Sequence, residues 1–324
     1  MTSPKIAVTF VIPVYNEVES LPQLGRELAA ACGRLDAPCE MIFVDDGSTD
    51  GSFEALRKLQ AGNPRIRLVR LRKNFGQTAA LSAGFDRARG EIVITMDADL
   101  QNDPADVPLL VAKIREGFDI ASGWRVKRQD KLVSRRLPSR AANRIISRIT
   151  GVRLHDYGCT LKAYRSDVIK HIKLYGEMHR FIPAIASAIG VAIAEVPVSH
   201  RPRVYGKSKY HLSKSIRVFL DLMTVKFLLS YSTRPLQIFG LFGLLAGLIG
   251  VILGSVLSYQ RLVLKTSLAN RPMLLLAVLL IVIGIQFITM GLLGEVMVRA
   301  YHETVEKHIY VVRESIDADS EDRP

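Results

Sequence analysis

Two blocks in the last third of the chain carry no charge: Leu236 to Tyr259 and Pro272 to Gly294. Each exceeds the roughly 20 apolar residues that cross a ~30 Å hydrocarbon core. A core helix of a soluble domain rarely runs that far without one charged residue, so both blocks read as transmembrane helices. They confine any water-soluble fold to what precedes them. Two spans return the chain to its starting side, so the segment ahead of Leu236 and the segment after Arg299 share a compartment. The flanking cations Lys226, Arg234, Arg299 and Lys307 favour the cytoplasm by the positive-inside rule. Arg261, Lys265 and Arg271, in the short loop between the spans, pull the other way. Val8 to Val14 is too short to be a cleavable signal.

The formal net charge of +13 is concentrated. Between Arg125 and Arg153 ten Lys/Arg face the single acid Asp130, and between His200 and Arg217 six more face none. A basic patch of this kind suits nucleic acid, an anionic membrane surface or phosphate-bearing substrates. Two spans just downstream select the last two, and no nucleic-acid partner is expected. Leu212 to Ser230 spaces Leu212, Ile216, Phe219, Leu220, Met223, Phe227 and Leu228 as one helical face, with Lys214, Arg217, Asp221 and Lys226 between them. That pattern fits an amphipathic helix at the bilayer interface, or equally a core-packed one. The expected organisation is a catalytic-type domain over 1–210, an interface helix over 211–234, a membrane hairpin over 235–299 and a tail over 300–324. The acidic stretch Glu314 to Pro324 is expected to be disordered. Cys32, Cys39 and Cys159 are odd in number and lack metal-ligand spacing, which suits a reducing compartment.

The first half alternates short β-branched runs with helical patterns. Strands are expected over Ile6 to Ile12, Met41 to Val44, Ile66 to Leu71 and Ile92 to Met96, with a fifth around Ile120 and Ala121. Helices are expected over Val18 to Arg34, Ser52 to Leu59 (capped by Ser48 or Asp50), Thr78 to Ala88 and Asp106 to Glu116. This order implies an α/β fold, a doubly wound and mostly parallel sheet covered on both faces. Ligands of such sheets bind beyond the carboxyl ends of the strands. The unusual polar clusters fall there: Pro13-Val14-Tyr15-Asn16-Glu17, Asp45-Asp46-Gly47-Ser48 and Asp97-Ala98-Asp99-Leu100-Gln101. No glycine-rich phosphate loop accompanies them. In the third cluster two carboxylates and an amide alternate along the chain, so three oxygens can converge on one hard cation. Taken alone, a D-x-D of this kind is more often a solvated turn.

In company the clusters are more specific. Val11-Ile12-Pro13-Val14-Tyr15-Asn16-Glu17, Val44-Asp45-Asp46-Gly47-Ser48-Thr49-Asp50-Gly51 and Asp97-Ala98-Asp99-Leu100-Gln101 resemble the family-2 glycosyltransferases of the GT-A fold. Within that family the chain is similar to the polyprenyl-phosphate glycosyltransferases. These are the dolichol-phosphate mannose synthases, the bactoprenol glucosyltransferases and the undecaprenyl-phosphate aminoarabinose-type transferases. The resemblance continues through Asn74-Phe75-Gly76-Gln77, Asp156-Tyr157-Gly158-Cys159, Leu161-Lys162-Ala163-Tyr164-Arg165 and Arg203-Val204-Tyr205-Gly206-Lys207-Ser208-Lys209-Tyr210. It reaches the hairpin at Gln286-Phe287 and Gly291-Leu292-Leu293-Gly294-Glu295.

The resemblance implies a metal-dependent, inverting transfer of one sugar from a nucleotide-sugar donor, with uracil as the base, to a polyprenyl phosphate acceptor at the bilayer. Pro13, Tyr15, Glu17 and Asp45 or Asp46 would hold the nucleotide base and ribose. Asp97, Asp99 and Gln101 would bind Mg2+ or Mn2+ with the donor diphosphate. Arg125 and Arg135, or its neighbour Arg136, would sit on donor phosphates, and Arg203 and Lys209 would take the lipid phosphate. Arginine's planar fork suits such contacts. Glu17 can also be read as a charge complementing a helix N-terminus. Asp156 is the best carboxylate for a base or orienting role, with a loop acid paired to nearby arginines as the equal alternative. A base is dispensable if the acceptor is a phosphate monoester, whose second pKa of about 6 leaves it ionised at pH 7. A processive polysaccharide synthase is disfavoured, because Trp124 is the only tryptophan and Ile120 stands where the Gln of Gln-x-x-Arg-Trp would. The remaining alternative is a membrane protein that binds nucleotide sugar without turnover. A homo-oligomer is left open.

Overall fold

The computed structural model describes residues 6–35, 37–126, 147, 151–172, 174, 176, 178–187, 190–202, 235–265, 272–304 and 309–317. The chain divides into two compact units, Met1–Val225 with His308–Pro324, and Lys226–Lys307. In the first, β1 (Val8–Val14), β2 (Cys39–Asp45), β3 (Ile66–Leu71) and β4 (Ile92–Thr95) alternate with α1 (Leu21–Gly33), α2 (Ser52–Gly62) and α3 (Gln77–Phe85). Then come α4 (Val107–Arg115), β5 (Ile120–Arg125), β6 (Lys162–Arg165), α5 (Ser166–His171), α6 (Ile182–Ser187) and β7 (Ile193–Val198). The strand β8 (Val312–Ile316) follows the second unit and rejoins this sheet.

The strands form one eight-stranded sheet in the order β7-β5-β6-β4-β1-β2-β3-β8. Strands β4, β1, β2 and β3 run parallel, as do β5 and β7; β6 and β8 alone run against the rest. The expected mostly parallel sheet is therefore present. Strand β2 is buried along its whole length, as a strand covered on both faces must be. Met41 and Phe43 join a core with Leu21, Leu24 and Leu28 of α1, Phe53 and Leu56 of α2, and Val107 and Leu110 of α4. Ile42 and Val44, pointing the other way, pack with Ala79, Ala80 and Ala83 of α3. From β1 the chain steps outward to β2 and β3, then returns to β4 on the other side of β1. The switch point at the carboxyl ends of β1 and β4 is where such sheets open a ligand crevice.

Three expectations need correction. The stretch from Glu314 to Pro324 was expected to be disordered, but Val312–Ile316 pairs antiparallel with β3; residues 318–324 lie outside the described residues. Asp317 then reaches Arg67 Nε at 2.5 Å, and Tyr310 donates to Asp86 at 2.7 Å. Acidic composition was outweighed by a free sheet edge lined with basic partners. Secondly, Cys32 and Cys39 form a disulfide, with Cα atoms 6.1 Å apart. The short return from α1 to β2 brings them together, a proximity that counting and metal spacing do not reveal. Cys159 is a buried thiol, and burial pushes it up to about 11. Thirdly, the residue at the N-terminal cap position of α2 is Gly51, not Ser48 or Asp50, although Asp50 Oδ1 does accept from Ser52 N–H, the first amide of the helix, at 3.0 Å.

In the second unit, α7 (Pro235–Leu262) and α8 (Pro272–Thr304) are long and apolar enough to cross a membrane. The second runs past the expected limit of Arg299. A Cβ on Gly243 would stand 2.6 Å from the Gly284 carbonyl, and one on Gly250 would stand 2.8 Å from that of Ala277. The two helices thus run antiparallel with backbones in close approach, the packing that small residues permit between apolar helices. The expected interface helix lies outside the described residues.

Candidate active site at the carboxyl edge of the sheet

The register of the sheet aligns the three polar clusters. Pro13 pairs with Val44 and Val14 with Asp45, while Val11 pairs with Thr95. Continued two residues beyond that last pair, the β1–β4 register brings Asp97 level with Pro13. The loops after β1 and β2 are laced together. Asn16 N–H donates to Ser48 Oγ at 3.0 Å, Glu17 N–H to Ser52 Oγ at 2.9 Å and Val18 N–H to Asp50 Oδ2 at 3.1 Å. Asn16 Oδ1 accepts in return from Thr49 N–H. This fastening leaves the Tyr15 ring exposed beside half-buried Pro13, a surface on which a flat base can stack.

Local backbone strain collects here. Asn16 and Leu100 have φ of 54° and 61°, a region that side-chain-bearing residues seldom occupy and that clusters at functional sites. Leu100 turns the chain between Asp99 and Gln101. Gly47, at φ 71°, is required outright, because a Cβ there would stand 2.6 Å from the Lys73 backbone.

The carboxylates differ in their neighbours. Asp46 accepts from the N–H groups of Phe75 and Gly76 at 2.7 and 2.9 Å. It thereby holds the loop ahead of α3, although burial lifts its pKa to about 6. Asp45 is fully buried; it accepts from Ser48 N–H at 3.1 Å and faces Arg70 Nε at 3.4 Å. Burial raises its pKa too, outweighing those partners.

Asp97 Oδ1 accepts from Gln77 Nε2 at 2.7 Å, and the Thr160 hydroxyl donates to the same carboxylate. Thr160 Oγ1 in turn accepts from Asn102 Nδ2 at 2.8 Å. Burial first, and then repulsion from Asp99, raise the Asp97 pKa; the charges of Arg125 and Arg180 oppose them. Asp99 is nearly buried, and its Oδ1 accepts from Gln101 N–H at 3.2 Å. Two carboxylates that repel each other at a strand end, with an amide side chain following, form a hard-oxygen donor set that a divalent cation would relieve. The residues present therefore fit Mg2+ or Mn2+. The described residues contain no cluster of three or more His, Cys, Asp or Glu for such an ion.

Arg125 and Asp156 form a closed pair: Nε to Oδ2 at 2.7 Å and Nη2 to Oδ1 at 2.9 Å. Burial alone would lower the arginine's pKa; the Asp156 carboxylate more than compensates and raises it. Asp156 also accepts from Gly158 N–H at 3.1 Å. Of the two readings of Asp156 left open by the sequence, this geometry favours the paired acid. Beside the pair, Trp124 stacks on His155 with ring centres 4.3 Å apart, and His155 Nδ1 meets Glu195 at 2.7 Å. Beneath it, buried Lys162 Nζ donates to the carbonyls of Tyr157 and Cys159 at 3.3 and 2.5 Å. Burial lowers that amine to about 8.

Arg135, Arg136, Arg203 and Lys209 lie outside the described residues. Arg201, two positions before Arg203, donates its N–H to the Gln101 carbonyl at 2.9 Å. The sequence reading assigned no part to Arg180, Thr160 or Asn102. Gln77 and Lys162 were quoted within motifs but given no role. A cavity of about 450 Å3 between α1 and α4, lined by Arg34, Pro108, Val111 and Arg115 among others, shares no residue with this cluster.

An open α/β sheet with an acid pair beyond the carboxyl ends of its strands is the architecture in which α/β enzymes bind their ligands. Residues 9–173 match the family described as Glycosyl transferase family 2, and the chain belongs to that family. It is 42% identical over 320 residues to a dodecaprenyl-phosphate galacturonate synthase of Rhizobium johnstonii, covering 98% of this chain and 95% of that one. It is 41% identical to an undecaprenyl-phosphate 4-deoxy-4-formamido-L-arabinose transferase of Edwardsiella ictaluri, covering 97% and 96%. Among solved structures, mannosyl-3-phosphoglycerate synthase from Rubrobacter xylanophilus superposes with a TM-score of 0.56 at 15% identity, covering 68% of this chain and 74% of that one. Glucosyl-3-phosphoglycerate synthase from Mycobacterium tuberculosis, in complex with Mn2+ and UDP-glucose, gives 0.54 at 18%, covering 69% and 79%. These likenesses establish the GT-A type of fold.

Proposed function

We propose that this protein transfers a single sugar, with inversion, from a UDP-linked donor to undecaprenyl phosphate or a close polyprenyl phosphate. The observation that carries the reading is the acid pair Asp97 and Asp99 at the switch point, in a chain alike over nearly its whole length to two polyprenyl-phosphate transferases. An acceptor phosphate oxygen attacks the anomeric carbon; the bond to the nucleoside diphosphate breaks on the opposite face. No free base is required, because the acceptor is ionised at neutral pH. That agrees with Asp156 being spent on Arg125. Asp97, Asp99 and Gln101 would hold a divalent cation, which when bound neutralises charge developing on the departing diphosphate. Tyr15 and Pro13 would carry the base, with Asp45 and Glu17 towards the ribose; Arg203 and Lys209 would meet the lipid phosphate.

The two apolar helices are read as a membrane hairpin with the catalytic unit on the cytoplasmic side, as the cations flanking the hairpin favour. The Cys32–Cys39 bond pulls the other way, since disulfides persist in oxidising compartments. The test is purified full-length protein in detergent with undecaprenyl phosphate and a panel of nucleotide sugars, the product read by mass. One sugar per lipid is expected, with loss of turnover in EDTA and in Asp99→Ala at unchanged melting temperature. A polymeric product would show a processive synthase. Full activity in EDTA would sink the metal assignment.

A further inference from the structure

We propose that Arg180 grips a phosphate oxygen of the substrate beside Asp97 and Asp99, a part the sequence reading assigned to Arg125. This inference rests on the transferase reading above.

Two observations support it. First, one edge of the Arg125 guanidinium is already occupied. Its Nε and Nη2 both bond to Asp156, at 2.7 and 2.9 Å, so this bidentate edge is spent on a carboxylate and only the Nη1 side remains for a phosphate. Secondly, Arg180 lies on a turn tied to the helix that holds Asp97. It lies on the 3-10 turn Met178–Phe181. That turn is pinned through His179 Nδ1, 2.8 Å from Thr78 Oγ1. Thr78 adjoins Gln77, whose amide holds Asp97 at 2.7 Å. The first turn of α3 therefore fastens both the acid and the segment carrying the arginine.

Arg180 is half-buried, and its charge acts on the Asp97 carboxyl. Yet it makes no hydrogen bond or ion pair with another described residue, whereas Arg67, Arg125 and Arg201 are each tied to carboxylates. A guanidinium partly withdrawn from water without an acceptor carries an uncompensated desolvation cost. An anion arriving at the acid pair would remove that cost. The ligand chemistry is a phosphate oxygen, carried by both the donor diphosphate and the acceptor phosphate monoester.

The experiment uses full-length protein in detergent: wild type, Arg180→Gln and Arg180→Lys. Calorimetry with Mg2+ measures UDP, uridine and inorganic pyrophosphate, and kinetics give KM for the donor and for undecaprenyl phosphate. A charge-assisted hydrogen bond of about 1.5–3 kcal/mol corresponds to roughly 10- to 100-fold. For a grip on the donor, R180Q weakens UDP and pyrophosphate by that factor, leaves uridine unchanged, and R180K recovers part of the loss. For a grip on the acceptor, UDP binding is unchanged and KM for undecaprenyl phosphate rises at least tenfold. UDP affinity and both KM values within twofold of wild type in R180Q overturn the inference. So does an equal loss of uridine and UDP, which marks a structural role. A wild type that binds pyrophosphate but not UDP overturns the nucleotide reading alone, and equal pyrophosphate affinity in R180Q then overturns the inference. A wild type that binds neither overturns both.

Discussion

Replacing Asp156 with alanine is expected to loosen the site rather than remove a base. Asp156 is almost fully buried, and its carboxylate takes two donors from the Arg125 guanidinium and one each from the backbone N–H groups of Arg125 and Gly158. Its loss strands a largely buried guanidinium. Breaking one side of such a pair costs about 3–5 kcal/mol. In a unit of this size each kcal/mol moves the melting temperature by about 2–4 °C, so a fall of roughly 6–20 °C is expected for D156A. The double variant Arg125→Met with Asp156→Ala leaves no orphaned charge and should lose less than the sum of the singles, with a coupling of about 1–3 kcal/mol. Trp124 supplies the assay. It is the only tryptophan in the chain and stacks on His155, so its emission reports melting of this patch. Asp156→Asn keeps the shape and one acceptor. Below its melting temperature it should lose less than the 10²–10⁴-fold in rate that a general base supplies. A D156N protein that melts like wild type yet loses that factor would show a base and refute the clamp. Additive singles would refute the coupling.

Two further outcomes follow from the described residues. Asp46 has a folded-state pKa raised from 3.8 to about 6, so between those values the folded protein holds a proton that the unfolded chain has released. Stability should therefore fall as pH rises from about 4 to about 6, by at most about 1.4 kcal/mol per unit from this group. Asp46→Asn should flatten that part of the melting-temperature profile, and an unchanged slope would dismiss the assignment. Ending the chain after His308 removes β8 and the buried ring of Tyr310. The ring alone accounts for about 1.5–3 kcal/mol, so melting should drop by roughly 3–12 °C. An unchanged melting temperature would show that β8 is dispensable.

Much of the molecule was legible along the chain because local chemistry decided it. A charge-free block long enough to span hydrocarbon, or a β-branched run ending in polar residues, announces its element wherever it sits. The helices α1 to α4 and strands β1 to β4 fall within a few residues of their expected limits. The polar clusters lie at strand ends because parallel order forces them there, and the acids Asp45, Asp46, Asp97 and Asp99 were found by that logic.

Partnership was not legible. The sequence alone left Asp156 open as base or paired acid, and its bond to Arg125 depends on two segments meeting 31 residues apart. It placed Arg125 on a phosphate, and the fold commits one edge of that guanidinium to Asp156. Arg180 passed unmarked, because its turn is tied to the helix holding Asp97 by the Thr78–His179 contact across 101 residues. The acidic tail looked unstructured, and the uncovered edge of β3 turned part of it into a strand. Residue types and their spacing determined the elements, the two long apolar helices and the family. The tertiary structure alone decided which charges neutralise one another, because ion pairing depends on distance in space and on exclusion of water, neither of which is written along the chain.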